Sequence, residues 1–435
     1  MTDRPEGRGG RRLTASVTDL DVVRQRALLI GVVVKSGDLA AAEASLEELA
    51  LLVDTAGSDP VELELQRRER LEPAMLVGKG KAEELAALVK ALDIDVAVFD
   101  HELSPSQQRN LQQALGVDVV DREAVILDIF AQHATSRAGM LQVELALLHY
   151  RLPRLRGKGI EMSRLGGGIG TRGPGETKLE TDRRRIGERI RVLEKELEHL
   201  TTIRNTQRKA RKRASTPEIA LVGYTNSGKS TLLNLMTDAG VLTEDRLFST
   251  LDSTVRRFEL PGGQKVLLAD TVGFVQRLPH HLVEAFKSTL DEAAHADLLL
   301  HLIDGASPRA DEQIEAVRQV VADIGAADIP ELLVLNKSDI AAPETFNRLR
   351  LLHPDAVPMS ALVGDGIDDL VEAVVKKLAE TTTEVNLFVP YARGDVMAAL
   401  HRRGEVLSES HTDDGTDVRV RLPHDAVGEF ADLRP

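Results

Sequence analysis

The feature that most constrains this chain is eight residues long: Gly223, Tyr224, Thr225, Asn226, Ser227, Gly228, Lys229 and Ser230 fit the pattern G-x-x-x-x-G-K-[ST]. A strand candidate, Glu218 to Val222, comes before it and a helix candidate, Thr231 to Met236, follows. Strand, loop and helix in that order give the pattern its physical meaning. The glycines let backbone N–H groups turn inward around phosphates at a helix N-terminus. The lysine brings positive charge to the outer phosphates, and the Ser230 hydroxyl can ligate Mg²⁺.

Further motifs follow in a fixed order. The apolar run Val266 to Leu268 leads into Asp270, Thr271, Val272 and Gly273. Asp270 would hold Mg²⁺ through water, and the Gly273 amide would sense a γ-phosphate. The strand candidate Glu331 to Leu335 leads into Asn336, Lys337, Ser338 and Asp339. A carboxylate at Asp339 accepts two hydrogen bonds from guanine N1–H and the exocyclic amine, groups that adenine lacks, so GTP and GDP are the expected ligands. Ser360, Ala361 and Leu362 follow another apolar strand and would complete the base pocket with a backbone N–H to guanine O6.

Between the phosphate loop and Asp270 lie Phe248, Ser249, Thr250, Leu251 and Asp252, the natural place for a switch segment. Either Thr250 or Thr254 would be the second hydroxyl ligand of Mg²⁺. Each short motif alone is ordinary turn chemistry. Together they predict a Ras-like GTPase domain over residues 216–383, hydrolysing GTP to GDP and phosphate. The residue after Gly273 is Phe274, where many such domains carry a Gln that orients the attacking water. Phenylalanine cannot make that hydrogen bond, so no catalytic side chain is assigned and intrinsic hydrolysis should be slow. A partner or a monovalent cation would supply the missing group, with Asn226 the candidate K⁺ ligand.

At 435 residues the chain exceeds what one core usually holds. Residues 1–24 read as a disordered leader. Over 25–137, apolar runs at Leu28 to Val34, Val61 to Leu65, Val96 to Phe99 and Val117 to Val120 alternate with helical stretches. That alternation predicts an N-terminal α/β domain with a mainly parallel sheet. Over 138–215, Leu141, Leu145, Leu148, Leu152 and Leu155 form one helix stripe, and Ile186, Ile190, Leu193, Leu197, Leu200 and Ile203 another. Two such stripes predict a long antiparallel helical hairpin packed along its Leu/Ile seams. Residues 384–435 predict a small C-terminal α/β domain.

The loop joining the two hairpin helices holds eight glycines between Gly157 and Gly175, with Lys158, Arg164 and Arg172 interspersed and Lys178 just beyond. A flexible linker is the plain alternative. The interspersed cations favour a tip that probes a folded polyanion. Charge supports this locally: the chain carries −14 overall, yet 19 basic side chains face 8 acidic ones between Arg151 and Arg213. Cysteine is absent, which removes disulfides and thiolate chemistry, and 3% aromatic residues leave little for base-stacking platforms. The early apolar run Ala27 to Val34 is too short to span a membrane. A cytoplasmic protein without membrane attachment, and a monomer, is expected.

These residues resemble those of the HflX-type GTPases, ribosome-associated proteins of the wider Obg-HflX group. The likeness rests on Leu76 to Lys81, Asp100 to Arg109, the loop Gly166 to Lys178, the phosphate loop, and Phe248 to Asp252. The resemblance implies binding of the large (50S) ribosomal subunit and its rRNA through the N-terminal domain and the basic hairpin. It also implies GTP-dependent dissociation of the 70S ribosome, in rescue or recycling under stress, with hydrolysis stimulated by the ribosome. It places the second Mg²⁺ hydroxyl on Thr250 rather than Thr254, and a phenylalanine at position 274 is expected for the group. Ser249 and Ser253 stand where the family commonly has Ala and Pro, away from the proposed ligands.

Overall fold

The computed structural model describes residues 24–35, 37–155, 174–213, 216–237, 247–248, 254–276, 292–380, 382–423 and 426–433. The leader, the glycine-rich stretch with Lys158, Arg164 and Arg172, and the segment Ser249 to Asp252 lie outside these residues.

The first sheet contains β1 (Gln25–Val34), β2 (Ser58–Arg68), β3 (Val96–Phe99) and β4 (Asp118–Asp121), in the order β2-β1-β3-β4 with every pair parallel. Helices α1 (Leu39–Thr55), α2 (Lys79–Ala91), α3 (Pro105–Leu115) and α4 (Arg122–His133) connect and cover it. A parallel strand buried on both faces must be apolar on both, and β1 shows why its sequence runs unbroken. Leu28 and Ile30 pack with Leu85 and Leu111, whereas Ala27 and Leu29 face Leu49 and Ile126. The helix starts are written locally. Asp38 accepts the Ala40 N–H at 2.9 Å, Asp121 accepts the Ala124 N–H at 3.0 Å, and Ser104 with Gln107 closes a capping box ahead of Pro105. The predicted elements are all present; β2 is longer than Val61 to Leu65 because it pairs with β1 along its whole length.

The hairpin consists of α5 (Arg137–Arg154) and α6 (Pro174–Arg213). Arg189 pairs with Glu144 at 2.7 Å and Arg137 with Glu196 at 3.1 Å, so the helices run antiparallel. Their packing departs from the simple two-stripe seam. On α5 the buried positions include Leu141, Val143 and Ala146, and the last two join the core beside α4. The helix is therefore wedged between α4 and α6 instead of facing one partner. On α6 only Ile190 and Leu193 of the stripe are buried, and Ile203 is 41% exposed. The reason is length: α5 begins near Glu196, so the later turns of α6 have no α5 beside them.

The second sheet is built from β5 (Glu218–Gly223), β6 (Thr254–Glu259), β7 (Lys265–Asp270), β8 (Leu298–Asp304), β9 (Glu331–Asn336) and β10 (Val357–Pro358). Its order is β10-β9-β8-β5-β7-β6, parallel except that the edge strand β6 runs antiparallel to β7. Helices α7 (Lys229–Thr237), α8 (Ala310–Asp323), α9 (Pro343–Leu352) and α10 (Ile367–Glu380) accompany it. Strand order reverses at β5, which lies between β7 and β8. In such sheets a crevice opens at the carboxyl end of the strand where the order reverses, and here the phosphate-loop motif begins at that end. A third, antiparallel sheet of β11 (Thr382–Pro390), β13 (Gly415–Pro423) and β12 (Glu405–His411), with α11 (Gly394–Arg403), closes a separate core around Leu387, Leu400 and Val420. No helix among the described residues is long and apolar enough to cross a membrane.

One buried polar cluster holds the N-terminal sheet to its helices. Arg122, at the start of α4, pairs with Glu48 of α1 and with Asp100 beyond β3 at 2.8 Å, and Asp100 also accepts the Ser45 hydroxyl at 2.7 Å. Replacing one member leaves buried charge uncompensated. Arg122→Met is therefore expected to cost about 3 to 5 kcal/mol in urea denaturation at neutral pH.

Candidate nucleotide-binding site

The site begins where β5 leaves its sheet. Gly223 and Gly228 have φ of 155° and 94°, and a Cβ on either would press into Leu302 O or Asn336 Nδ2, respectively. Only glycine fits this backbone. The loop closes over the next side chain in the motif: Lys229 Nζ donates to the carbonyls of Gly223 at 3.1 Å and Tyr224 at 2.9 Å. Lys229 is buried, and burial holds its ammonium down to about 8 against the opposing attraction of Asp270. The hydroxyls of Thr225 and Ser227 are buried in the same loop without a hydrogen-bond partner among the described residues. Asn226, at the exposed tip, is left-handed with φ of 59°.

Opposite the loop, β7 ends on Asp270, whose carboxylate accepts the Ser230 hydroxyl at 2.6 Å. A hydroxyl and a carboxylate side by side form a hard oxygen donor set that suits Mg²⁺. Thr271 donates to Leu221 O at 2.7 Å, which fastens the segment after Asp270 to β5. A Cβ on Gly273 would fall 2.8 Å from Thr225 Cγ2 and 3.2 Å from Lys229 Nζ, so its backbone lies directly against the phosphate loop. Val272 is buried, and Phe274 is 1% exposed. The Phe274 main chain pairs with the loop, accepting the Thr225 N–H at 2.7 Å. Its ring belongs to the core that also contains Val275, Phe248 and Phe130. Phe274 is thus a core residue that fastens the segment in place.

The base end is tied to the phosphate end by Asn336. Its Nδ2 donates to Ser227 O at 2.7 Å, and its Oδ1 accepts the Ala361 N–H at 2.8 Å. Lys337 is left-handed and pairs through Nζ with Asp304 at 2.9 Å. Beside them an open cavity of about 540 Å³ is lined by Ser338, Asp339, Ser360, Val363, Gly364 and Asp365. Three of the predicted base-pocket residues therefore meet in one cavity. Leu362 is 80% exposed and does not line it. Sequence reasoning missed Asp304, which pairs with Lys337, and Val363, Gly364 and Asp365, which line the cavity. The available signal for Asp304 was a carboxylate closing a run, Leu298 to Ile303, that is apolar apart from His301; the structure places it in register with Asn336 on the neighbouring strand.

Of the switch segment, Phe248 is described: it is left-handed, 2% exposed, and meets Phe130 edge-on with centroids 4.7 Å apart. Thr254, the alternative to Thr250, opens β6 opposite Asp270. Ser249, Thr250, Leu251 and Asp252 are outside the described residues, as are Lys158, Arg164 and Arg172, while Lys178 falls in the first turns of α6.

Family models described as GTP-binding GTPase N-terminal, GTP-binding GTPase Middle Region and 50S ribosome-binding GTPase match residues 43–131, 133–211 and 218–337. Curated relatives named GTPase HflX align over nearly the whole chain. That of Caldanaerobacter subterraneus subsp. tengcongensis is 47% identical, with 92% of this chain and 91% of the relative covered. The chain belongs to the HflX GTPase family. The HflX proteins of Lacrimispora saccharolytica and Escherichia coli are 45% and 43% identical, covering 95% and 87% of this chain and 97% and 89% of their own lengths. Among solved structures, the complex of SsGBP with GDP covers 82% of this chain and 99% of its own, at 25% identity and a TM-score of 0.45.

Two outcomes follow for this HflX site. Gly228→Ala should weaken binding of a fluorescent GDP analogue at least about tenfold, since a non-glycine backbone at this φ costs about 1 to 3 kcal/mol and its Cβ displaces Asn336. Second, nucleotide phosphates should raise the pKa of Lys229 from its value near 8. Calorimetry at pH 8 in buffers of different ionisation enthalpy should then show uptake of about half a proton on binding, vanishing towards pH 6.5 where the lysine is already charged.

Proposed function

We propose that this chain is a GTP-driven switch acting on ribosomes: with GTP bound it engages the 50S subunit and separates the subunits of the 70S particle, and hydrolysis stimulated by the ribosome releases it. The observation that carries the reading is one continuous site in which Asn336 joins the Lys229 loop to the Asp339 cavity. The ribosomal half rests on the family model described as a 50S ribosome-binding GTPase over residues 218–337, and on relatives named GTPase HflX.

In this reading the N–H groups of Gly223 to Ser230 and the ammonium of Lys229 bind the phosphates. Ser230 and Thr250 hold Mg²⁺ through their hydroxyls, with Asp270 acting through water. The metal, when bound, offsets charge on the β and γ phosphates. The Gly273 amide contacts the γ-phosphate. Asp339 selects guanine by accepting N1–H and the exocyclic amine, with Asn336, Lys337, Ser338, Ser360 and Ala361 shaping the base pocket. Lys158, Arg164, Arg172 and Lys178 contact rRNA phosphates, and such binding weakens with salt. The protein works in the cytoplasm as a monomer.

Phe274 is buried and offers no hydrogen bond to an attacking water, so the chain's own catalysis is slow. The group that orients the water comes from the ribosome, or from K⁺ held near Asn226. GTP hydrolysis should therefore rise at least roughly tenfold with 50S or 70S particles, and be measured in K⁺ and Na⁺ buffers with Lys229→Ala as the inactive control. A rate unchanged by either particle would sink the ribosomal reading, and equal rates in the two buffers would remove K⁺.

A further inference from the structure

Resting on the GTP switch proposed above, we infer that the side chain of Thr225 is a specificity residue for the triphosphate: its hydroxyl donates to a γ-phosphate oxygen, which GTP has and GDP lacks. A buried hydroxyl without a partner, and the groups that surround it, carry the inference.

The hydroxyls around the phosphate loop fall into two groups. Ser230 donates to Asp270 at 2.6 Å, and Thr271 donates to Leu221 O at 2.7 Å. Thr225 and Ser227 are 6% and 0% exposed, yet neither hydroxyl has a hydrogen-bond partner among the described residues. A buried donor left unmade is costly, so a site that keeps one has a use for it once a ligand arrives. The two hydroxyls differ in what they face. Ser227 lies beneath the loop, where a Cβ on Gly223 would press on Leu302 O of β8 and fall 2.8 Å from Ser227 Oγ. Thr225 lies instead against the segment that follows Asp270.

Position assigns Thr225 its ligand. The point that a Cβ on Gly273 would occupy is 2.8 Å from Thr225 Cγ2, 2.9 Å from Thr225 Cα and 3.2 Å from Lys229 Nζ. The Thr225 N–H is donated to Phe274 O at 2.7 Å, which fixes the residue against that segment. Thr225, the Lys229 ammonium and the Gly273 backbone are therefore neighbours, and the last two are the groups that meet the outer phosphates in the proposed switch. The base cavity joins the loop elsewhere, at Ser227 and Gly228, which both lie against Asn336. A nucleotide laid from Asp339 to Lys229 thus brings its outermost phosphate to Thr225. Phosphate oxygens only accept, and a hydrogen bond to a charged acceptor is the stronger kind. GDP ends one phosphate short and leaves this hydroxyl without a partner.

The test is equilibrium titration of the full chain with fluorescent GDP and with the fluorescent β,γ-imido analogue of GTP. Thr225→Val keeps the shape of the side chain and removes the hydroxyl, whereas Thr225→Ser keeps the hydroxyl. Thr225→Val should weaken binding of the analogue about tenfold or more, with GDP within about twofold of the parent. Thr225→Ser should preserve the parent's ratio of the two affinities. Thr225→Ala loses the same oxygen and should shift the ratio as valine does, which covers a valine variant that folds poorly. The thermal midpoint without nucleotide gives a second readout: exchanging an unpartnered buried hydroxyl for a methyl should raise it. Equal weakening of both nucleotides, an unchanged ratio in the valine and alanine variants, a serine variant that loses the ratio, or a folded valine variant with a lower midpoint would overturn the inference. A parent that binds neither nucleotide would instead overturn the switch itself.

Discussion

The nucleotide end of the molecule depends on a single buried ammonium. A charge taken out of water must find partners inside the protein or give up its proton. Lys229 has the carbonyls of Gly223 and Tyr224 at hydrogen-bond distance and the field of Asp270. Those carbonyls are within reach only because the loop leaves β5 through a glycine geometry, and Asp270 is near only because β7 runs beside β5. Loop, strand order and ammonium are thus one arrangement. Anionic phosphate oxygens are the strongest partners such an ammonium can acquire, which is why the structure suits a polyphosphate better than a neutral ligand.

Asn336 extends that arrangement to the base cavity. An amide side chain can donate and accept at once, and here one end holds the phosphate loop through Ser227 while the other holds the strand-to-loop turn at Ala361. Neither aspartate nor leucine could do both. Because the two halves of the site are linked by a buried side chain rather than by solvent, their spacing is set before any ligand arrives. Such preorganisation favours binding, since less freedom is lost on association.

The parallel sheets, the glycine-rich turn after β5 and half of the residues that line the cavity beside Asn336 were legible in the sequence because local signals fix them. Apolar runs mark buried strands, Asp38, Ser104 and Asp121 mark helix starts, and Gly223 and Gly228 mark a backbone that other residues cannot adopt. The burial phase on α5 was not legible, because a stripe shows that a helix has an apolar face without saying how many neighbours it serves. Nor was the contact between Glu48 and Tyr224. Glu48 sits in a helix of ordinary amphipathic pattern, and nothing near it indicates a partner 176 residues away. Long-range polar pairing depends on how layers stack, which periodicity does not encode.

Phe274 connects slow chemistry with domain docking. Phenylalanine cannot orient an attacking water, and at this position it turns into the core shared with Phe130, Phe248 and Val275. One side-chain choice thereby removes a water-orienting group and adds an apolar anchor beneath the segment that follows Asp270. The flanking contacts have the same character: Tyr224 and Phe248 direct their rings towards the N-terminal domain, leaving the loop's backbone and hydroxyls for the ligand. On the proposed function, a switch built this way holds GTP until an outside surface supplies the missing group. Its aromatic residues serve the seating of one domain on the other, and the chemistry is left to the backbone, the lysine and the partner.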